Sequence, residues 1–353
     1  MSNKLIKVGI GQGDTNGIAC ELILKAFEDN RLYEFCIPIV YGSSKILAYH
    51  RKALNLPSYN LSNINQIQDF GPNRLNILNI LSEETVVYLG KQTQEGTNDS
   101  EKIITKAFDD LNAGTIDVLL TTPMTINPIH CLKSDKKMPH PSIDILINND
   151  LRIALASDKV SFSEVLSHIT KDSIVNKIKA LNYALIHDFL LTSPRIAVLS
   201  LNPHAGINDN PGKEEKEIIM PAVKEVSESG IFCFGPYSAD TFFGSEDYLN
   251  FDAILALYHD QGTIAFQTLS SNEGVRYTAN LPVVFTSPNQ TVSFDKAGKN
   301  EVSPDSFRDA LYLAIDLYKN RQIDQQIRKN PLKKQYFERG SDNEKLDLTK
   351  DEE

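Results

Sequence analysis

Arg195-Ile-Ala-Val-Leu-Ser-Leu-Asn-Pro-His-Ala-Gly206 carries the pattern that organises this chain. Its apolar run is too short for a helix, and Asn-Pro followed by Gly ends it in a turn. A helix-length amphipathic segment, Glu214 to Ser229, comes next. Phe251-Asp-Ala-Ile-Leu-Ala-Leu-Tyr-His-Asp-Gln-Gly262 repeats the design: an apolar strand, a histidine at its carboxyl end, and a glycine within three residues.

The same alternation extends outward in both directions. Leu5 to Ile10, Cys36 to Val40, Ile116 to Leu120, Ile231 to Phe234 and Leu281 to Thr286 read as strands, with a short edge strand at Val86 to Leu89. Helices are expected at Gly17 to Asp29, Ser43 to Leu54, Asp99 to Asn112, Asp172 to His187 and Ser303 to Arg321, with Ser43 as an N-cap and Ala113-Gly114 as a stop signal. Strands alternating with helices predict an α/β protein with a mostly parallel sheet. Two stretches break the rhythm. Ser58 to Asn79 is polar and Asn-rich and reads as a surface connection with at most one short helix, while Asn127 to Pro141, with three prolines, reads as a mobile crossing between two halves.

The 353 residues hold 46 Asp and Glu against 36 Lys and Arg, a net charge of −10, with 41% hydrophobic residues. That length suggests two domains or one large one, since single cores stop growing near roughly 250 to 300 residues. Part of the acidity is local to the tail after Gly340. An acidic chain is poorly suited to neutralising phosphates, which argues against nucleic acid or an anionic membrane as partner and favours a small-molecule enzyme. Cys20, Cys36, Cys131 and Cys233 form no CxxC pair, so neither a zinc ribbon nor a disulfide framework is indicated and a cytoplasmic location is expected. No apolar run approaches the roughly 20 residues that span a bilayer.

The first strand runs into Gly9-Ile-Gly-Gln-Gly-Asp-Thr-Asn-Gly17, whose glycines allow close approach of a ligand. Read as a nucleotide fingerprint it fails, because Asn16 stands where the third Gly belongs; a tight strand-to-helix turn explains it equally well. His204 and His259 are the sharper signal. Ligands in open α/β sheets bind at the carboxyl ends of strands, so the matched pair leaves open either structural histidines or a metal or catalytic role. Asp240, in a third strand-end loop, adds a carboxylate, and two imidazoles with one carboxylate suit Zn²⁺, Mn²⁺ or Co²⁺. His50, His168 and His187 fall in helix-like segments; His140, held between Pro139 and Pro141, is the better site candidate of the two histidines in the crossing.

Taken in order, Asp14-x-Asn16-Gly17-Ile18, LNPHAG from Leu201 to Gly206, Glu214-Glu215, Gly235-Pro236-x-x-Ala239-Asp240-Thr241, YHDQG from Tyr258 to Gly262, Leu281-Pro282, Thr286-Ser287 and Ala297-Gly298 resemble the 4-hydroxythreonine-4-phosphate dehydrogenase family, from about Lys7 to Leu317. The resemblance implies two α/β/α domains with a cleft between them, similar to isocitrate and isopropylmalate dehydrogenases. The first domain would be 1–125 plus about 288–335, the second about 126–287, and 336–353 a disordered charged tail. It implies a homodimer with shared active sites, a small phosphorylated amino-acid substrate, NAD, and a divalent metal (Zn, Mg, Mn or Co). The implied reaction is oxidation of the substrate's hydroxyl carbon followed by loss of carbon dioxide, giving an amino ketone phosphate used in pyridoxal phosphate synthesis. His204 and His259 match metal ligands, Asp240 a nearby carboxylate with a metal or catalytic role, and His140 a catalytic, substrate-contacting His; Asp14 and Asn16 are expected to support the cleft mouth.

The departures cluster in the site. Lys159 occupies the position of the third metal His, Pro139-His-Pro-Ser142 replaces Gly-His-Thr-Glu, and Gln267, Arg276 and Phe285 replace a Lys, an Asn and an Arg. Asn289-Gln-Thr-Val292 stands where cofactor contacts are expected. Losing both phosphate-binding cations removes charge-assisted bonds worth about 1.5 to 3 kcal/mol each, and Arg276 is expected to restore one. The expectation is a metal- and NAD-dependent dehydrogenase of this family. The alternatives are a non-catalytic binding or regulatory relative in which Lys159 pairs with Asp240, a dehydrogenase for another phosphorylated or carboxylated hydroxy acid, or an unrelated α/β enzyme on the same scaffold.

Overall fold

The computed structural model describes residues 5–58, 60–157, 160–206, 212–271 and 273–329. Lys159 and the charged tail therefore lie outside the described residues. In chain order the strands are β1 (Ile6–Gly11), β2 (Cys36–Gly42), β3 (Leu61–Ile64), β4 (Leu75–Asn79), β5 (Val118–Thr121), β6 (Ile143–Asn148), β7 (Leu151–Leu155), β8 (Ile196–Leu199), β9 (Cys233–Tyr237), β10 (Ala253–Ala256), β11 (Val275–Ala279) and β12 (Phe285–Pro288). The helices are α1 (Ala19–Ala26), α2 (Ser44–Ala53), α3 (Gln94–Asn112), α4 (Phe162–His168), α5 (Lys171–His187), α6 (Met220–Glu228), α7 (Ala239–Gly244), α8 (His259–Leu269) and α9 (Asp305–Lys329).

The described strands form a single twelve-stranded sheet in the order β3-β4-β2-β1-β5-β12-β11-β6-β7-β10-β8-β9. Central strands such as β1, β8 and β10 are buried almost throughout, as expected where helices cover both faces. Helices begin where the sequence supplies caps: Ser43 accepts from the Ile46 N–H, and Thr93 accepts from the Gly96 N–H at 3.0 Å. α3 stops before Gly114, whose φ of +71° is the left-handed turn that glycine makes freely.

Two expectations are overturned. The Asn-rich stretch 58–79 contains β3 and β4, both parallel to their neighbours at the sheet edge. Asn76 inside β4 is fully buried because its side-chain amide donates to the carbonyls of Pro38 and Gly71, so a residue type depleted in strands is satisfied there. The segment Val86 to Leu89 forms no strand. Its backbone is held by a side chain instead, with the Tyr88 N–H donating to Asn16 Oδ1 at 2.7 Å and the Gly90 N–H to the Asn16 carbonyl at 2.8 Å.

The sheet reverses direction in its middle. β12 pairs antiparallel with β11, β11 with β6, and β6 with β7. After three reversals β7, β10, β8 and β9 run opposite to β1, β2, β5 and β12. The carboxyl ends of the two parallel sets thus lie on opposite edges of the sheet. β6 and β7 are joined by Asn149 and Asp150, with Asn149 at φ +52°, a compact hairpin turn that Asn adopts readily.

One face shows where a cleft can form. Leu146, Arg276, Ser287 and Phe285 share a face through register and alternation. Phe285 packs on Phe108 of α3, with ring centres 5.4 Å apart, and Leu146 clusters with Phe266 of α8. α3 and α8 therefore flank a strip formed by β12, β11 and β6. Gly262 lets α8 sit close, since a Cβ there would meet Leu155 and Ala256 at under 3 Å.

Candidate active site

Both histidines emerge where the sequence places them, and they emerge side by side, because β10 and β8 are neighbouring parallel strands. His259 is the first residue of α8. Its Nδ1 lies 2.9 Å from Asp260 Oδ1. A carboxylate only accepts, so Nδ1 is the donor in this pair and Nε2 is the ring nitrogen outside it. His204 sits in a turn with two consecutive left-handed residues, His204 at φ 61° and Ala205 at φ 49°. Neither is glycine, and such conformations cost on the order of 1 to 3 kcal/mol each and persist only where surrounding structure enforces them.

Asp240 joins this group from β9, the strand on the other side of β8. The His204 N–H donates to Ser238 Oγ at 3.2 Å, and the Ser238 hydroxyl donates to Asp240 Oδ1 at 2.6 Å. The Ser238 hydroxyl, the Thr241 N–H and nearby His204 hold the Asp240 carboxyl below its ordinary range, so it stays ionised. Three neighbouring strands thus bring His204, His259 and Asp240 to one edge. Among the described residues, however, no group of three or more His, Cys, Asp or Glu is arranged to hold a metal ion. The described donors do not fit a preassembled divalent site.

The remaining expected residues divide. Arg276 lies on β11, three strands from β10, or roughly 14 Å at about 4.8 Å per strand. It donates to Asp144 Oδ2 at 3.1 Å, while Thr278 donates to Oδ1 of the same carboxylate at 2.7 Å. Its charge is already engaged by a neighbour on the strip between α3 and α8. Phe285 is packed in the core, and Gln267 Oε1 is buried without a partner. His140 packs against Tyr183 with its ring tilted by 58° and ring centres 5.2 Å apart, and lines an open cavity of about 450 Å³ with Met138, Leu281 and Asn280. Burial first, then Lys179 and His187, push its pKa down, so its ring is neutral near neutral pH.

Asp14 and Asn16 follow β1, seven strands from β8 and on the opposite edge of the sheet, roughly 34 Å away by strand spacing. They do not support the mouth of the His204 and His259 site in the same subunit. Asp14 is fully buried, accepts from the Asn16 N–H at 2.9 Å, and leaves Oδ2 without a partner. On that edge, after β12, Asn289 Nδ2 and Gln290 Oε1 are also buried and unpartnered. These orphaned amide groups are a donor and an acceptor that a nucleotide's hydroxyls and carboxamide could satisfy, so this edge fits NAD.

Sequence reasoning gave no role to Glu215 or Gln261. Glu215 is fully buried, and its Oε1 accepts from the Leu201 and Asn202 N–H groups, each at 2.8 Å. Gln261 accepts from the Leu257 N–H at 2.8 Å and donates to the Ser200 carbonyl at 2.7 Å. The available signal was their place inside the Glu214-Glu215 and YHDQG motifs.

The pyridoxal phosphate biosynthetic protein PdxA family matches residues 34–314. The chain belongs to the PdxA family. It is 44% identical to 4-hydroxythreonine-4-phosphate dehydrogenase of Bacteroides thetaiotaomicron, over 99% of this chain and 98% of that protein. The enzyme of the same name from Sulfurihydrogenibium sp. is 32% identical over 90% of this chain and all of its own. Among solved structures, a 4-hydroxythreonine-4-phosphate dehydrogenase from Burkholderia phymatum superposes with TM-score 0.67 at 26% identity, covering 89% of this chain and 98% of that one. The Klebsiella pneumoniae protein of that name gives 0.73 at 23% identity over 90% and 99%, a likeness of fold. PdxA membership accounts for the mixed α/β architecture and for the motifs at Leu201 to Gly206 and Tyr258 to Gly262. No helix among the described residues is long and apolar enough to cross a membrane.

Proposed function

We propose that this PdxA-family chain is an NAD-dependent dehydrogenase that converts 4-phosphooxy-threonine to 3-amino-2-oxopropyl phosphate by oxidative decarboxylation, in pyridoxine and pyridoxal phosphate biosynthesis. The observation that carries the reading is 44% identity to a relative of that name across nearly the whole of both chains.

NAD, when bound, supplies the hydride acceptor, and Asn289 and Gln290 are the residues with unmet hydrogen bonds to hold it. In this reading His259 takes the substrate's hydroxyl proton at Nε2 as the hydride leaves the carbon that bears that hydroxyl. The resulting β-keto acid loses carbon dioxide, and a proton returned to carbon completes the amino ketone. Asp240, ionised and linked through Ser238, steadies His204 beside this base. His140, neutral, suits a hydrogen bond to substrate better than pairing with a phosphate. Because the described donors make no cation cage, the divalent ion is a property to be measured in the purified protein.

The working unit in this reading is a homodimer. A second copy gives a physical route for the Asn289 edge of one subunit to meet the His259 edge of another, since one subunit holds them on opposite sides of its sheet. Incubating the purified protein with NAD and phosphorylated hydroxythreonine should yield NADH and carbon dioxide in equal amounts. A folded protein that yields neither, with or without added divalent metal, sinks the proposal. The engagement of Arg276 by Asp144 and the burial of Phe285 favour one second reading, a binding or regulatory subunit, which predicts ligand binding by calorimetry with no NADH.

A further inference from the structure

The loop that carries His204 is a strained piece of backbone. His204 and Ala205 are both left-handed, at φ 61° and 49°, and neither has glycine's freedom. Two side chains brace it, Glu215, which is buried, and Gln261, which is half-buried. The Glu215 carboxylate receives the Leu201 and Asn202 N–H groups on Oε1, each at 2.8 Å, and the Asn202 side-chain amide on Oε2 at 2.9 Å. Glu214 Oε2 takes the same amide at 2.9 Å. The carboxylate lies against Gly212, where a Cβ would come within 1.4 Å of Oε2, so the chain leaves room for it. Glu215 also opens a π-helical turn, Glu215–Ile219, a local distortion found often at functional sites. On the other side, Gln261 accepts from the Leu257 N–H at the end of β10 and donates to the Ser200 carbonyl at the end of β8. One side chain thus spans the two strand ends that bear the histidines.

We propose that Glu215 and Gln261 are positioning residues that hold the left-handed His204–Ala205 turn at a fixed place beside His259. Glu215 fixes the approach to the turn through backbone N–H groups, and Gln261 fixes its distance from the His259 turn. Neither touches the reacting atoms. The inference rests on the reading of His204 and His259 as site residues, but its physical content is the rigidity of residues 199–206.

Two near-isosteric variants each remove one brace. Glu215→Gln replaces an acceptor by an NH₂ group that faces another donor, Asn202 Nδ2. Gln261→Glu sets a carboxylate oxygen against the Ser200 carbonyl. In the full chain, amide hydrogen exchange of the 199–206 peptide should accelerate at least tenfold in both variants, while β1 stays as in the parent. The turnover rate with phosphorylated hydroxythreonine and NAD should fall at least tenfold with KM changed less than twofold. Adding Ala205→Gly, which removes a left-handed penalty, should slow exchange in Glu215→Gln at least threefold back toward the parent; a general loss of packing would gain nothing from it. Unchanged exchange in both variants, or no recovery with Ala205→Gly, overturns the proposal. Should the parent protein make no NADH, the proposed function fails while the exchange measurements still decide the positioning role.

Discussion

Arg276 on β11 donates to Asp144 on β6 at 3.1 Å, on the strip of sheet left between α3 and α8. A phosphate entering that strip has to compete with Asp144 for the guanidinium. Removing the competitor while keeping the side chain's shape should therefore improve binding of a phosphorylated substrate. The variant Asp144→Asn is expected to lower KM, or the Kd for inorganic phosphate, about tenfold, the equivalent of about 1.4 kcal/mol from one charge-assisted bond. Arg276→Met should abolish that gain in the double variant. An Asp144→Asn protein with unaltered phosphate affinity would remove Arg276 from substrate binding.

A second charged group is structural. Arg321 of α9 donates to Asp188 Oδ1 at 2.7 Å and to the Tyr277 hydroxyl at 2.9 Å, and that hydroxyl donates to Asp188 Oδ2 at 2.6 Å. Asp188 and Tyr277 are buried, and Arg321 also reaches the Leu281 carbonyl. This network fastens the long last helix to α5 and β11. Arg321→Ala strands the Asp188 carboxylate in the interior and is expected to cost about 3 to 5 kcal/mol in urea unfolding. A loss below about 1 kcal/mol would mean that water replaces the guanidinium there.

Much of the sheet was legible because buried parallel strands have little choice of residue: β1, β2, β5, β8 and β10 are short apolar runs ending in turns. The edge strand β3 was hidden because a half-exposed strand accepts polar residues, and its buried neighbour β4 because Asn76 finds carbonyl partners inside the fold. The hairpin of β6 and β7 was not read from the sequence, although Asn149 adopts its left-handed turn readily. His204, His259 and Asp240 were legible as a set because each follows a strand, and the structure places those strands side by side. The separation of Asp14 from them was not. It depends on three successive antiparallel pairings, and long-range strand order leaves no periodic mark in the residues themselves.

The cysteines give a simple check on burial. Cys20, Cys36 and Cys233 are free and buried, and burial pushes each thiol up to about 12. Cys131 is free and only half-buried, at the end of the short turn Pro128–Cys131. Since the thiolate is the reactive form, a thiol-disulfide reagent should modify one cysteine per native chain within minutes and all four after denaturation. Peptide mapping should find the fast label on Cys131. Rapid labelling of two or more cysteines in the folded protein would show that the α1, β2 or β9 neighbourhood opens.

Asp14 supplies a pH dependence whose direction follows from its surroundings. Burial raises its pKa most, the Asn16 N–H opposes that by favouring the carboxylate, and nearby Asp99 raises it further. The folded chain therefore holds the Asp14 proton more tightly than the unfolded chain does. The stability it contributes is complete below the ordinary value of 3.8 and is lost as pH rises through the higher folded value. Above that folded value the protein carries an ionised buried carboxylate with one oxygen, Oδ2, lacking a partner. Asp14→Asn keeps an acceptor for the Asn16 N–H and removes the charge. It should stabilise the fold near neutrality by on the order of 1 to 3 kcal/mol, and that advantage should shrink as the pH falls toward the ordinary carboxylate range. Urea unfolding of both proteins across this range measures the difference directly. An advantage that does not change with pH would show that Asp14 titrates alike in the folded and unfolded chains, and a loss of stability at neutrality would show that the charge is met by a partner on that edge.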